Sequence, residues 1–360
     1  MTGTVMITAG GTGGHVFPGL AVATKLVARG SRVFWLGTND GMEAALVRKH
    51  GVEFEGIAFA GIRGKGWKVR VLGPLALVSA LWQSLKIIRR RAPDVVLGLG
   101  GFASFPGAAA GVALGKPLVL HDANAISGLA NRVLSYGASR ILVGFPNTMS
   151  GRHAGKVEWV GIPVRDEIGR VPLPERRFAE RAGPLRLLVV GGSLGAAALN
   201  RSVPAALALM PVATRPHVVH QAGIKHVDAL RAAYEELGVV ATCLAFIDDM
   251  AAQYAAADVV VCRGGAITVA ELTAAGLAAI IIPLPGAIAD EQSANAQVLV
   301  DAGAALKIRE PELTPEVLAA QFTSLTRTTL LTMAIAARKL ARPDAADRVA
   351  AVCIAAGREQ

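Results

Sequence analysis

The sequence predicts an α/β protein of two doubly wound parallel-sheet domains, and three observations predict it. Short apolar runs of strand type alternate with helix-length stretches; a second such series follows the first; and the two series open alike. Val5-Met6-Ile7-Thr8-Ala9-Gly10-Gly11-Thr12-Gly13-Gly14 and Leu187-Leu188-Val189-Val190-Gly191-Gly192-Ser193-Leu194-Gly195 each read as strand, glycine loop and helix start. Such alternation marks βαβ units, whose crossover helices bury both faces of a parallel sheet and so make its strands continuously apolar.

In chain order the first series places strands at Val5–Thr8, Val33–Leu36, Val95–Leu97, Leu118–Leu120, Ile141–Val143 and Val157–Val160. The second places them at Leu185–Val190, His217–His220, Thr242–Ala245, Asp258–Cys262 and Ala279–Pro283. Between Gly161 and Pro184, Pro163, Pro172, Pro174 and the charged run Glu175 to Arg181 interrupt the periodicity, which sets a boundary near Pro163 and domains over 1–163 and 164–344.

The 360 residues suit roughly two domains. With 52% hydrophobic and 18% charged residues, a disordered chain is excluded. Three widely spaced cysteines without a CxxC support neither a disulfide framework nor a cysteine zinc site, and fit a reducing cytoplasm. Met1 to Thr8 lacks a basic leader and reads as a first strand instead of a signal peptide. The uncharged stretches Val95–Gly115 and Leu272–Ala289 are broken by glycines and by Pro106, Pro283 and Pro285, as buried sheet segments are.

A glycine loop between a buried strand and a helix offers N–H groups and the positive helix end to an anion. The same glycines serve equally in a tight turn without a ligand. A third segment of this design, Cys262 to Glu271, follows the strand ending at Cys262; Glu271 suits a ribose diol or, as readily, a solvated helix face. His15 directly follows Gly13-Gly14, in a first helical turn whose positive end keeps imidazole neutral and fit to act as a base. His50, His153, His217 and His226 read as structural, and no paired metal-ligand spacing occurs.

Gly98-Leu99-Gly100-Gly101-Phe102-Ala103 fits a loose GxGxxA, with Asp122 about 20 residues on, so a nicotinamide enzyme stands as an alternative. Gly111 to Lys116 is one residue short of a P-loop, which argues against transfer from ATP.

The net charge of +10 has an address. From Gly56 to Pro93 there are Arg63, Lys65, Lys68, Arg70, Lys86, Arg89, Arg90 and Arg91 and no acid, around an uncharged run with Trp67, Leu75 and Trp82 at or near it. An apolar wedge with a cationic rim suits an anionic bilayer surface; a core helix with a solvated flank is the other reading. A nucleic-acid face fits poorly with 5% aromatic residues and no RNA-binding motif.

Together these residues resemble the MurG family, bacterial N-acetylglucosaminyltransferases acting on lipid I. The likeness rests on Gly10 to Gly19, Gly61 to Gly66, His121-Asp122-Ala123-Asn124, Pro163-Val164-Arg165, Gly191-Gly192-Ser193, Phe246 to Met250 and Cys262 to Glu271, and runs from Val5 to about Ile308. The resemblance implies a GT-B architecture of two Rossmann-like domains, the first for the acceptor and the second for UDP-GlcNAc, with a final helix near 345–356 returning to the first. It implies inverting transfer of GlcNAc to the 4-hydroxyl of the MurNAc-pentapeptide of lipid I, giving lipid II, without metal or cofactor. His15 would be the base, assisted by Asp122. Thr12, Gly13, Gly14, Asn124, Arg165, Ser193, Ile247 (through its backbone), Gly264, Gly265, Thr268, Glu271, Gln292 and Asn295 would complete the UDP-GlcNAc site. Arg63, Lys65, Trp67, Leu75, Trp82, Arg89, Arg90 and Arg91 would meet acceptor and membrane at the cytoplasmic face of the inner membrane, with cell-wall synthesis proteins as further partners.

The chain departs from the family pattern at Phe102, Asp122, Ala123, Ile162, Leu194, Gly264 and Glu291, where lost amide and hydroxyl groups would alter donor or acceptor contacts. Another UDP-sugar enzyme of the same fold, a glycolipid glycosyltransferase or a UDP-GlcNAc epimerase, is the alternative.

Overall fold

The apolar runs become strands whose pairings are all parallel. The structure is a computed structural model describing residues 3–10, 13–59, 67–149, 151, 153, 155–179, 181–192, 195–285 and 290–359. The first series forms β1 (Thr4–Thr8), β2 (Arg32–Thr38), β3 (Glu53–Ile57), β4 (Val95–Gly98), β5 (Leu118–Asp122), β6 (Arg140–Val143) and β7 (Val157–Trp159), ordered β3-β2-β1-β4-β5-β6-β7. The second forms β8 (Arg186–Val190), β9 (His217–Gln221), β10 (Thr242–Leu244), β11 (Val259–Cys262), β12 (Ala278–Ile281) and β13 (Ala305–Lys307), ordered β10-β9-β8-β11-β12-β13.

Parallel neighbours need crossovers, and helices supply them except between β6 and β7, where the described residues form turns. The first sheet has α1 (Gly13–Ala28), α2 (Met42–Lys49), α3 (Trp67–Arg91), α4 (Ser104–Ala113) and α5 (Leu129–Leu134). Then follow α6 (Asp166–Gly169), α7 (Pro174–Ala179), α8 (Ala197–Ala208), α9 (Val227–Glu236), α10 (Met250–Ala256), α11 (Ala266–Ala275), α12 (Glu291–Asp301), α13 (Pro315–Ser324), α14 (Arg327–Lys339) and α15 (Ala345–Arg358). Residues 1–165 with 342–360 form one unit, and 166–341 the other.

In the first unit the period of two sends Val5, Ile7, Leu97 and Val119 to one face, under α1 and α15, and Met6, Phe34, Leu36, Val96 and Leu120 to the other, under α3, α4 and α5. On α15 the buried residues Ala346, Val349, Ala350 and Cys353 recur at helical spacing and pack on α1, β4 and β5. Asp347 meets Arg29 (2.7 Å) and Lys25 (3.5 Å) of α1. In the second unit Leu187, Val189, Val218, Val261 and Ile280 face α8, α9, α13 and α14 in one core.

The strands β3 and β13 are absent from the sequence reading. Both are sheet edges: β3 alternates Glu53, Phe54 and Glu55, and β13 is three residues ending at Lys307. An edge strand has one ladder partner and keeps a solvated side, so its sequence need not be an apolar run. The two uncharged stretches resolve into sheet and helix segments, β4 with α4 and the end of α11 with β12; residues 286–289 lie outside the described set. No helix among the described residues is long and apolar enough to cross a membrane.

Each strand order reverses once, between β1 and β4 and between β8 and β11. At such a switch point the loops after the strands diverge to opposite faces and open a crevice at the carboxyl ends. The segments Gly10–Gly14, Gly98–Ala103, Gly191–Gly195 and Cys262–Glu271 start at or just after the last residues of these four strands.

Candidate active site

At the first switch point the loop after β1 is pinned before it reaches α1. Buried Trp35 of β2 donates its indole N–H to the Ala9 carbonyl (3.0 Å). Buried Glu43 accepts from the Thr38 N–H (3.0 Å) and hydroxyl (2.6 Å), and stands where a Cβ on Gly10 would come within 2.7 Å of its carboxylate. Thr12 lies outside the described residues; Gly13 and Gly14 open α1.

His15 follows, half-buried, with Nδ1 3.0 Å from the Leu99 carbonyl on the loop after β4. A carbonyl can only accept, so Nδ1 carries the proton and Nε2 keeps its lone pair. Burial pushes the imidazole pKa down, against the opposing pull of the Asp122 charge and the Leu99 bond. Burial, more than the helix end invoked from sequence, therefore keeps the ring neutral.

The loop that supplies Leu99 is the GxGxxA segment. Gly100 (φ +87°) and Gly101 (φ +82°) are both left-handed; a Cβ on Gly101 would fall 2.1 Å from the Gly10 carbonyl, and one on Gly100 3.4 Å from the His15 ring. These glycines bring one loop against the other and form the wall behind the histidine.

Asp122 ends β5, buried, accepting from the Asn124 N–H (3.2 Å); its other oxygen has no hydrogen-bond partner among the described residues. It acts on His15 through its field and makes no hydrogen bond to it. Neighbouring His121 is buried and held neutral, donating Nε2–H to the Gly161 carbonyl (2.9 Å). Arg165 lies at the end of this unit, its guanidinium 5.1 Å over the Phe17 ring.

At the second switch point a side chain does the pinning. Buried Gln221, last residue of β9, accepts from the Gly192 N–H (3.0 Å) and donates to the carbonyls of Gly192 (3.0 Å) and Ala245 (3.2 Å). Gly195 (φ +76°) packs so closely that a Cβ would fall 2.0 Å from the Ala222 carbonyl. Behind it His220 joins Tyr234 (2.9 Å) and Asn200 (3.1 Å), its pKa pushed down to about 3 by burial. Ser193 lies outside the described residues.

After β11, Gly264 and Gly265 lead into α11. Asn295 of α12 is buried and donates to the Gly264 carbonyl (3.1 Å); Gln292 accepts from the Leu284 N–H (3.0 Å). One end of each proposed sugar-reading side chain thus holds main chain. Thr268 is half-buried in the first turn of α11, and Glu271, one turn on and largely buried, accepts from the hydroxyl of buried Tyr254 (3.0 Å). Ile247 is buried on the loop after β10 beside exposed Phe246. A cavity of about 490 Å³ opens at the amino ends of β8, β9 and β10, the far end of these strands from the glycine loops.

On α3, Leu75, Val78 and Trp82 are exposed at helical spacing, and the Lys86 ammonium sits 3.3 Å over the Trp82 ring. The arginine rim is thinner than the sequence suggested: Arg90 pairs with Glu55 (2.7 Å) and Arg91 with Glu53, both on β3, leaving Arg89 without an ion pair among the described residues. These acids lie just outside the acid-free window. Arg63 and Lys65 lie outside the described residues, and Trp67 opens α3.

The comparisons with known proteins agree with this geometry. The glycosyltransferase family 28 N-terminal domain matches residues 5–143 and its C-terminal domain residues 186–349. The UDP-N-acetylglucosamine–N-acetylmuramyl-(pentapeptide) pyrophosphoryl-undecaprenol N-acetylglucosamine transferase of Ralstonia nicotianae is 54% identical, over 99% of this chain and 97% of its own. The chain belongs to the MurG family. A relative of the same name from Aromatoleum aromaticum is also 54% identical over 99% of both chains, and the crystal structure of MurG from Acinetobacter baumannii aligns with TM-score 0.83 at 37% identity, covering 98% of this chain and 99% of that one. The fold is GT-B, two doubly wound parallel-sheet domains, and the protein is a glycosyltransferase.

Within this MurG-family chain, several departures from the family pattern become packing. Phe102 lies 6.0 Å from Phe59, ring to ring, and Ile162 is buried where Gly144 leaves it room. At Gly264 a Cβ would stand 2.3 Å from the Gln292 carbonyl, so a serine there needs α12 to shift. Leu194 lies outside the described residues. Gln221 and Tyr254 are the supporting residues missing from the sequence reading, which took Leu99 to Gly101 for part of a dinucleotide fingerprint and not for the backing of His15. Gln221, a polar residue closing an apolar strand, carried a signal; Tyr254 carried none.

Proposed function

We propose that this protein transfers GlcNAc from UDP-GlcNAc to the 4-hydroxyl of the MurNAc-pentapeptide of lipid I with inversion, giving lipid II for peptidoglycan synthesis. The observation that carries the mechanism is His15, with Nδ1 committed to Leu99 and Nε2 left as an acceptor at the sheet's switch point. Nε2 takes the hydroxyl proton as the oxygen attacks the anomeric carbon. The bond to the diphosphate breaks on the opposite side, its electron pair leaving with UDP. Asp122 stabilises the imidazolium through its field. A base so placed contributes about 10² to 10⁴ in rate.

In this reading residues 1–163 serve the acceptor and 164–344 hold the donor, with Thr12, Gly13, Gly14 and Asn124 meeting the UDP-GlcNAc from the first domain. Arg165, Ser193, Gly264, Gly265, Thr268 and the start of α11 take the diphosphate, whose charge fixed N–H groups stabilise as it leaves. The Ile247 main chain meets uracil, Glu271 the ribose, and Gln292 and Asn295 the GlcNAc hydroxyls. The exposed α3 face with Lys86 and Arg89 contacts an anionic bilayer at the cytoplasmic face, where other cell-wall synthesis proteins are further partners.

The test is UDP release from UDP-GlcNAc with and without a lipid I analogue, in EDTA, with the linkage read by NMR. Acceptor-dependent release with a new β-1,4 GlcNAc is expected. Release without acceptor points to another UDP-sugar enzyme of this fold. For the membrane contact, charge reversal at Arg89 with Trp82→Ala lowers sedimentation with anionic vesicles at low salt; unchanged sedimentation removes that part.

A further inference from the structure

A cavity of about 370 Å³ beside α5 has no part in the roles above. One wall is Ala125, Ile126 and Ser127, directly after Asn124; the others include Arg132, Ser135, Tyr136, Thr148 and His153. No acid lines it.

Arg132 is the arginine lining this cavity among the described residues. Its Nε donates to the Ser127 carbonyl (2.9 Å), which fixes the arm, while its two terminal nitrogens have no partner among the described residues. A guanidinium held in this way presents a ready fork to a carboxylate. Ser135 donates to the Arg132 carbonyl (2.7 Å) and lies 3.1 Å from His153 Nε2. The Tyr136 ring stands edge-on to His153 at 5.4 Å and is 64% exposed.

Two further contacts join this cavity to the acceptor side. The hydroxyl of buried Thr148 donates to the Ala125 carbonyl (3.2 Å), in a wall where Asn147 (φ +67°) and Met149 (φ +55°) both adopt the left-handed conformation unusual outside glycine. A Cβ on Gly100 would touch the Asn131 amide (3.3 Å) and the His15 ring (3.4 Å) alike, so α5 borders the histidine through Asn131 and the cavity through Arg132.

We infer that this cavity is a subsite for the peptide stem of the acceptor, with Arg132 taking a peptide carboxylate and Tyr136 packing against the peptide. A space whose described lining combines hydroxyls, the Arg132 guanidinium and an exposed aromatic edge, with no acid, fits an extended anionic peptide. The inference rests on the acceptor being the peptide-bearing lipid-linked sugar proposed above.

The experiment measures transfer from UDP-GlcNAc to two acceptors that share the MurNAc, diphosphate and lipid, one with the pentapeptide and one without it. Arg132→Gln raises KM for the pentapeptide acceptor about tenfold, the scale of one charge-assisted hydrogen bond, and leaves KM for the peptide-free acceptor and for UDP-GlcNAc unchanged. Tyr136→Ala acts in the same direction, and carries the test if Arg132→Gln lowers the Tm. Equal increases for both acceptors place the anion at the diphosphate and overturn the peptide subsite; no increase for either overturns it too. Failure of the wild-type protein to use either acceptor defeats the proposed function itself, and the subsite with it.

Discussion

The two switch points share a topology and differ in what holds their glycine loops. At the first, the Trp35 indole holds the Ala9 carbonyl, the Leu99 carbonyl accepts from the His15 ring, and Gly101 lies where a Cβ would overlap the Gly10 carbonyl. At the second, the Gln221 side chain pairs with the loop peptide while a satisfied His220, Tyr234 and Asn200 network stands behind it. The first arrangement leaves an imidazole with an open lone pair; the second offers N–H groups and a carboxylate on α11. In the proposed mechanism one fold thus supplies both a proton acceptor and an anion site through the residues that back its loops.

The sharpest way to break this contrast is His15→Ala. Turnover should fall at least about 10²-fold with UDP-GlcNAc affinity unchanged, measured by steady-state kinetics and calorimetry. A fall below about tenfold ends the role of base.

Next comes a pair of equivalent glycines. Gly101→Ala should lower kcat about 10²-fold by displacing the wall behind His15, since small misplacements at a reacting group carry that penalty. Gly195→Ala, equally crowded, should raise KM for UDP-GlcNAc and spare kcat. If both variants show the same split, the division of labour fails.

Glu271→Ala should weaken UDP-GlcNAc binding about tenfold or more, the scale of hydrogen bonds to a charged group, with kcat less affected. Gln221→Ala should cost about 1–3 kcal/mol in urea unfolding by leaving buried loop peptides unpaired, and raise KM for the donor in step.

The smallest effect is with pH. A lowered His15 pKa keeps the ring more than half neutral at pH 6.5, so kcat should lose less than about twofold there and fall only at lower pH. A midpoint above 6.5 would show that the Asp122 field outweighs burial.

Most strands were legible because central parallel strands are buried on both faces and must be apolar along their whole length. The edge strand β3 was not, since Glu53 and Glu55 face partners that local periodicity does not name. Those partners, Arg91 and Arg90, lie more than thirty positions away on α3, which is why the acid-free window overstated the rim. In the candidate site, His15 could be picked out by its place after Gly13-Gly14, whereas the bond by which buried Asn295 holds the Gly264 carbonyl joins positions 31 apart and no local pattern announces it.

The sequence by itself determined the alternation of strand and helix, the paired strand-loop-helix openings, the glycine positions and the family, because each is written in neighbouring residues. Tertiary structure decided which loops meet. Leu99 reaches His15, and Gly101 reaches Gly10, because β4 pairs with β1 and not with β3. Strand order is a property of long-range pairing across the sheet, and the tautomer of the histidine depends on it.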